Sequence, residues 1–176
     1  GGTAAVTTNG GSTAYSSNTG TATITVTAVN DAPVAAASTL TTIAEDVVSG
    51  SNPGTLVSAL VTDFTDADSG AVKGIAVTAV VTTNGTWYYS TNAGGAWTTL
   101  TGVSTSAARL LKGDDANYKV RFVPTADFNG TATLTYQAWD QTSGTAGSTA
   151  AVTTNGGSTA YSSNTGTATI TVSAVN

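Results

Sequence analysis

Short runs in which apolar and polar residues alternate recur along the whole chain. In residues 21–29 the apolar side chains Ala22, Ile24, Val26 and Ala28 alternate with threonines, and this spacing predicts a half-buried β-strand. The same period of two recurs in three further runs: Ile75, Val77, Ala79 and Val81; Tyr118, Val120 and Phe122 with Lys119 and Arg121 facing outward; and Ala132, Leu134, Tyr136 and Ala138. No segment sustains a helical period. Several short strands separated by turn residues predict an all-β sandwich.

Residues 141–165 interrupt this pattern because they are almost wholly small and polar. They are expected to form either a hairpin around the turn sequence Asn155-Gly156 or a long loop before the last strand. The hairpin is favoured because Ala150 and Val152 share one face of a short alternating run that Tyr161 could cover. The stretch is therefore interpreted as a polar hairpin or loop inserted into the sandwich.

The chain ends on a near-identical copy of its own first 30 residues. Residues 1–30 match residues 147–176 at 28 of 30 positions, differing only at Gly2/Ser148 and Thr27/Ser173, so the period is 146 residues. We therefore expect residues 1–30 to be the C-terminal strands of a preceding repeat and residues 31–176 to be one complete repeat, joined at the seam Val29-Asn30-Asp31-Ala32-Pro33. An array of similar units favours a mechanical or display role over catalysis.

The composition argues against several classes of function. Ten acidic and five basic residues give a net charge of −5, which opposes binding to nucleic acid or to an anionic membrane surface. No apolar run approaches the roughly 20 residues that a membrane-spanning helix needs, and without cysteine no disulfide stabilises the fold. Histidine is also absent and Glu45 is the only glutamate, so the usual general bases and thiol nucleophiles are missing. We do not expect an enzyme.

Several motifs occur in an order that resembles a known family. They are GTATITVTAVNDAPV across the seam, IAEDV at residues 43–47, DFTDADSG at 63–70 and VPTADFNGTATLTYQAWD at 123–140. Together they resemble the tandem cadherin-like repeats of giant bacterial surface proteins, and GTWYYSTNAGGAWTTL, SAARLL and VRFVP are similar to the extender repeats of repeats-in-toxin adhesins. The resemblance implies an immunoglobulin-like (cadherin-like) Greek-key β-sandwich, repeated end to end on the bacterial cell surface, with calcium stiffening the junctions. The polar insertion at 141–165 is longer than this family usually carries.

The resemblance also implies a set of calcium ligands. They are Asn30 and Asp31 in the linker, Glu45 and Asp46 after the first strand, Asp66 and Asp68 in the Asp-x-Asp-x-Gly loop, Asp127 in the Ala-Asp-Phe-Asn-Gly turn, and Asp140 after the penultimate strand. The residues themselves support a cation less specifically. Asp63, Asp66 and Asp68 lie close together with only Lys73 nearby, which is unfavourable unless a cation or full solvation offsets the repulsion. The alternative is a solvated turn, where aspartate is common.

Each junction is expected to be incomplete in this chain. At the N-terminal seam the linker and the Asp66/Asp68 loop are present, whereas the preceding repeat's counterparts of Glu45 and Asp127 are not. At the C-terminal end we expect Glu45, Asp46, Asp127 and Asp140 to remain on one side, without the Asp-Ala-Pro that would follow. We therefore expect a single chain to bind calcium weakly or not at all, and an intact array to bind it.

The expected partners are neighbouring repeats of the same chain or other copies of it. Residues 1–30, which we call the N-terminal segment, lack the other strands of their repeat, and isolated strands are not stable in water. The segment either packs beside the complete repeat, completes a sheet in another molecule, or competes for the position of residues 147–176. We expect it to pair with another molecule by β-augmentation.

A carbohydrate- or ligand-binding module is the alternative function. Trp87, Tyr88, Tyr89 and Trp97 lie close together in the sequence, and the faces of Trp87, Tyr89 and Trp97 would form a platform for a glycan. Alternating aromatic residues on a strand are more often core on one side and cross-strand cover on the other.

Overall fold

A computed structural model describes all 176 residues, and the fold is nearly all β. The strands are β1 Ser38–Thr39, β2 Ile43–Ala44, β3 Thr55–Leu56, β4 Gly74–Val80, β5 Gly85–Ser90, β6 Thr98–Thr99, β7 Ala108–Lys112, β8 Lys119–Pro124, β9 Gly130–Trp139, β10 Thr149–Ala150 and β11 Tyr161–Ser173. A single 3-10 turn at Ser49–Ser51 and a one-turn helix, α1, at Val57–Leu60 complete the list. No helix is of a length and apolarity that would cross a membrane.

Two sheets form a sandwich-like arrangement. The larger sheet has the strand order β1-β11-β9-β4-β7-β10, and β2 also pairs with β11. The smaller sheet has the order β3-β8-β5-β6. Every pairing is antiparallel except those of β1 and β2, which run parallel to β11. The prediction of an all-β sandwich is therefore confirmed.

The main hydrophobic core is built from the inward faces of both sheets. In β9 the predicted alternation is confirmed, since Ala132, Leu134, Tyr136 and Ala138 are all buried. In the smaller sheet Phe122 of β8 lies opposite Trp87 of β5, with ring centroids 5.2 Å apart. Such a cross-strand aromatic pair stabilises both the sheet and the core between the layers.

The hairpin predicted within residues 141–165 is not formed. Its first arm, β10, instead pairs with β7 and becomes the edge of the larger sheet. Val152 and Tyr161 do pack together, in a second buried cluster that includes Trp139. The prediction of the apolar face of this stretch is therefore confirmed, but the prediction of its pairing is wrong. The reason is that the unpaired edge of β7, which is far away in the sequence, supplies the backbone groups that β10 binds.

The two copies of the repeated sequence have different structures. Residues 167–173 belong to β11, where Ile170 is 3% exposed, whereas the corresponding Ile24 in the N-terminal segment is 89% exposed. The strand predicted for residues 21–29 is therefore absent from this chain. The physical reason is that β11 pairs with β9 on one side and with β1 and β2 on the other, while residues 21–29 have no strand beside them. Alternation describes the face that a strand would bury, but it does not supply a partner.

A local turn, by contrast, is the same in both copies. The amide of Gly10 donates to the carbonyl of Tyr15 at 2.8 Å, and the amide of Gly156 donates to the carbonyl of Tyr161 at the same distance. Gly10 and Gly156 both have positive φ angles, 75° and 72°, which glycine adopts without steric cost. The turn is fixed by contacts within a few residues and therefore forms in either environment.

The two copies provide a matched test of this account. Replacing Ile170 with alanine removes a buried side chain and is expected to lower the free energy of unfolding by about 2–5 kcal/mol. The same change at Ile24 is expected to cost less than about 0.5 kcal/mol, because that side chain is exposed. Chemical denaturation of the two variants measures both values. Equal losses at the two positions would contradict the structural difference between the copies.

Candidate site at the repeat junction

The seam that follows the N-terminal segment is held to one end of the sandwich by hydrogen bonds. The side-chain amide of Asn30 donates to Oδ2 of Asp140 at 2.8 Å. The backbone amide of Asp31 donates to Oδ2 of Asp68 at 2.8 Å, and the amide of Ala32 donates to the carbonyl of Gly157 at 2.7 Å. Three consecutive residues are therefore bound to three different loops of the sandwich.

Asp140 is the buried anchor at this end. It is only 2% exposed, and its neighbours are neutral donors: Asn30 binds Oδ2, while the amide and hydroxyl of Thr142 bind Oδ1 at 2.8 and 2.7 Å. A buried carboxylate is tolerated only where donors replace its lost hydration. The position of Asn30 is therefore linked to the solvation of a buried charge.

The Asp-x-Asp-x-Gly loop lies beside this anchor. Oδ1 of Asp66 accepts a hydrogen bond from the amide of Asp68 at 2.9 Å, as in many aspartate turns. Oδ2 of Asp66 is shielded from solvent and has no hydrogen-bond partner. An unpaired, buried carboxylate oxygen is costly, and oxygen donors of this kind are what calcium binds. The residues present at this end thus fit part of a calcium site.

At the opposite end of the sandwich, Glu45 accepts hydrogen bonds from two other segments of the chain. This side chain is 9% exposed, and its Oε1 accepts a hydrogen bond from the amide of Val175 at 2.8 Å. Its Oε2 accepts from the side-chain amide of Asn129 at 3.2 Å. Asp46 follows it directly, and Asp127 lies in the turn before β9, both exposed. Glu45 therefore holds the chain where it leaves β11.

The structure divides the eight expected ligands between these two ends. The Asn30 end contains Asn30, Asp31, Asp66, Asp68 and Asp140, and the Glu45 end contains Glu45, Asp46 and Asp127. Nowhere do three acidic side chains come close enough together to hold a metal ion. The expected ligands therefore form two separate groups, one at each end of the sandwich.

Asp140 lies at the opposite end from the one expected. The resemblance predicts it beside Glu45, Asp46 and Asp127, whereas in the structure Asp140 follows the last residue of β9 and Asp127 lies before the first. The ten residues of β9 separate the two by about 30 Å at about 3.3 Å per residue. A strand carries the chain across the sandwich, so residues before and after it cannot share one end.

The aromatic platform proposed for a glycan does not exist. Trp87 is fully buried and Tyr89 is 9% exposed, and both belong to the main core. The alternative interpretation, core on one face of β5, is therefore correct for these two residues. Trp97 remains half-buried at the surface, so an aromatic contact with a sugar would depend on this residue alone.

Sequence reasoning missed the environment of Arg121. It lies on the outer face of β8, as expected, yet it is only 8% exposed. Its guanidinium group donates to the carbonyls of Ser49 and Asn52 and to the hydroxyl of Ser49, and lies 4.2 Å from the ring centroid of Trp97. Burial lowers the pKa of Arg121, while Tyr88 beside it opposes that shift. Arg121 thus fixes the loop around Ser49–Ser51 to the sheet, a contact that no local pattern predicts.

No protein-family model, curated protein or solved structure matches the chain.

Removing the Asp140 anchor tests the hydrogen bonds at the Asn30 end. Asp140→Ala deletes the acceptor of three hydrogen bonds and is expected to lower the free energy of unfolding by about 1–3 kcal/mol. The matched control is Asp63→Ala, at an exposed aspartate of the neighbouring loop, which is expected to change it by less than about 0.5 kcal/mol. Urea unfolding measures both. An unchanged free energy of unfolding in the Asp140→Ala variant would show that these hydrogen bonds contribute nothing to stability.

Proposed function

We propose that this chain is a structural extender segment from a tandem array of immunoglobulin-like Greek-key sandwiches. Its role is to space and stiffen an extracellular bacterial adhesin or surface fibre, and it has no catalytic activity. One observation carries the proposal. Two 30-residue sequences that match at 28 positions have different environments: the copy at the end of the chain completes a sheet, and the copy at the beginning lacks partner strands. This is expected for a repeat whose N-terminal segment belongs to the unit before it.

The seam leaves no free linker between consecutive repeats. By the period of the repeat, Val29 corresponds to Val175 and Asn30 to Asn176. The amide of Val175 is bound by Glu45 of its own repeat, whereas the side chain of Asn30 is bound by Asp140 of the following repeat. Two adjacent residues, about 3.8 Å apart at their Cα atoms, are thus held by two successive units. Such a junction resists bending more than a flexible linker would.

The same geometry supports calcium at the junction. Joining two repeats brings Glu45 and Asp46 of one unit towards Asp66, Asp68 and Asp140 of the next. Carboxylates gathered in this way repel one another unless a cation lies between them, and the unpaired oxygen of Asp66 is available as a ligand. Calcium accepts six to eight such oxygens. We propose that the two partial sets form one site only in the array.

Calorimetric titration of calcium into a chain carrying two complete repeats tests this proposal. The two-repeat chain is expected to bind calcium at its internal junction at least about tenfold more tightly than the single-repeat chain, because more carboxylate ligands converge there. Glu45→Gln in the first repeat, which faces that junction, is expected to weaken binding. The identical change in the second repeat is expected to have no effect and serves as the control. Equal affinities for the one-repeat and two-repeat chains, or equal effects of the two substitutions, would refute a junction site.

A further inference from the structure

We propose that residues 15–27 are a donor strand that can occupy the β11 position of a second molecule of this chain. The inference goes beyond the role of an extender because it concerns separate chains, and it depends only on the fold and on the repeated sequence. Residues 15–27 correspond to the 13 residues of β11 and differ from them only at Thr27/Ser173. They are exposed along their whole length.

The β11 position is a complete template for such a strand. It lies between β9 on one side and β1 and β2 on the other, so both edges of an incoming strand would find backbone partners. The side chains that fill it are Ala168, Ile170 and Val172, all buried. Their counterparts in the donor are Ala22, Ile24 and Val26, which are the same residues. A donor strand would therefore restore every pairing and every core contact of β11.

Geometry forbids the donor from filling this position in its own molecule. Asn30 and Asp31 are bound at the Asn30 end, beside Asp140 and Asp68. A donor in the β11 position would place residue 29 beyond the partner of Gly130, at the Glu45 end. The two ends are separated by about 30 Å along β9, whereas one residue spans about 3.8 Å. The N-terminal segment therefore cannot take the position of residues 147–176 in its own chain unless the seam detaches.

Donation between molecules joins them head to tail. The donor lies at the beginning of one chain and the acceptor position in the body of the next, so each contact leaves a further donor and a further acceptor. The assembly therefore grows until the rotation between molecules closes a ring, or as an open fibre where it does not. In the unaltered chain the acceptor position is already filled by an identical strand. Exchange therefore gains no contacts and still costs the entropy of association. The donor is expected to act when β11 is weakened.

Aspartate substitutions at the two equivalent isoleucines test this inference in the full chain. Ile170→Asp places a charge in the core of the acceptor position but leaves the donor intact. It is expected to raise the average mass measured by light scattering at least about twofold as the concentration increases, with a native near-ultraviolet spectrum. Ile24→Asp is the matched control and is expected to stay folded and monomeric. The variant carrying both changes is expected to be unfolded and monomeric, because neither copy can fill the position.

Two results would overturn the inference. An Ile170→Asp chain that remains monomeric at every concentration overturns the inference, whether it is folded or unfolded. Assembly that persists in the variant carrying both changes also overturns it, because association would not require the donor. None of these results depends on calcium or on a role at the cell surface. The inference can therefore fail while the proposed function stands, and the proposed function can fail while the inference stands.

Discussion

The fold of this chain depends on pairing between β11 and strands that are distant in the sequence. β9 precedes β11 by a long polar stretch, and β1 and β2 lie near the other end of the repeat, more than a hundred residues away. Burying an aliphatic side chain such as Ile170 contributes about 1.5–3 kcal/mol, but only if those strands are present to cover it. The copy of β11 in residues 15–27 lacks them and gains none of this stabilisation. Tertiary contact, and not the sequence of the strand, decides between the two conformations.

Much of the sandwich could be predicted from the spacing of apolar residues. The alternation in β8 and β9 identified strands whose inward faces the structure confirms, because these strands have partners within the same repeat. In β4 the predicted inward face is confirmed for Ile75 and Val77 but wrong for Ala79 and Val81, which are exposed because a β-bulge between Val77 and Ala79 reverses the alternation. Two of the failures share one cause. For residues 21–29 and for the hairpin around Asn155, the answer depends on which distant segment is adjacent, and periodicity carries no information on that. The end at which Asp140 lies is a different case, because β9 alone separates Asp140 from Asp127. The burial of Arg121, on the outer face of β8, likewise depends on a distant segment, because the loop that covers it is far away in the sequence.

The grouping of the candidate ligand residues also depends on the tertiary structure. The sequence offers them as candidates only through a family resemblance, and their grouping in space requires the direction of each strand. β9 sends Asp127 and Asp140 to opposite ends, and in the proposed array the seam would join the Glu45 end of one unit to the Asn30 end of the next. The hydrogen bonds from Val175 to Glu45 and from Asn30 to Asp140 hold the chain at these two ends. In the proposed array, a cation between the two ends would add stiffness to this geometry.

Hydrogen exchange measured by mass spectrometry on the dilute single chain tests this account most directly. Residues 21–27 and 167–173 differ only by Thr27 and Ser173, so their intrinsic exchange rates are nearly equal, while their fragments differ in mass. The amides of 21–27 are expected to exchange almost as fast as those of an unfolded peptide, and the amides of 167–173 are expected to exchange slower by orders of magnitude. Equal protection of the two segments in the monomer would contradict it, because it would mean that the strand is stable without β9, β1 and β2 beside it.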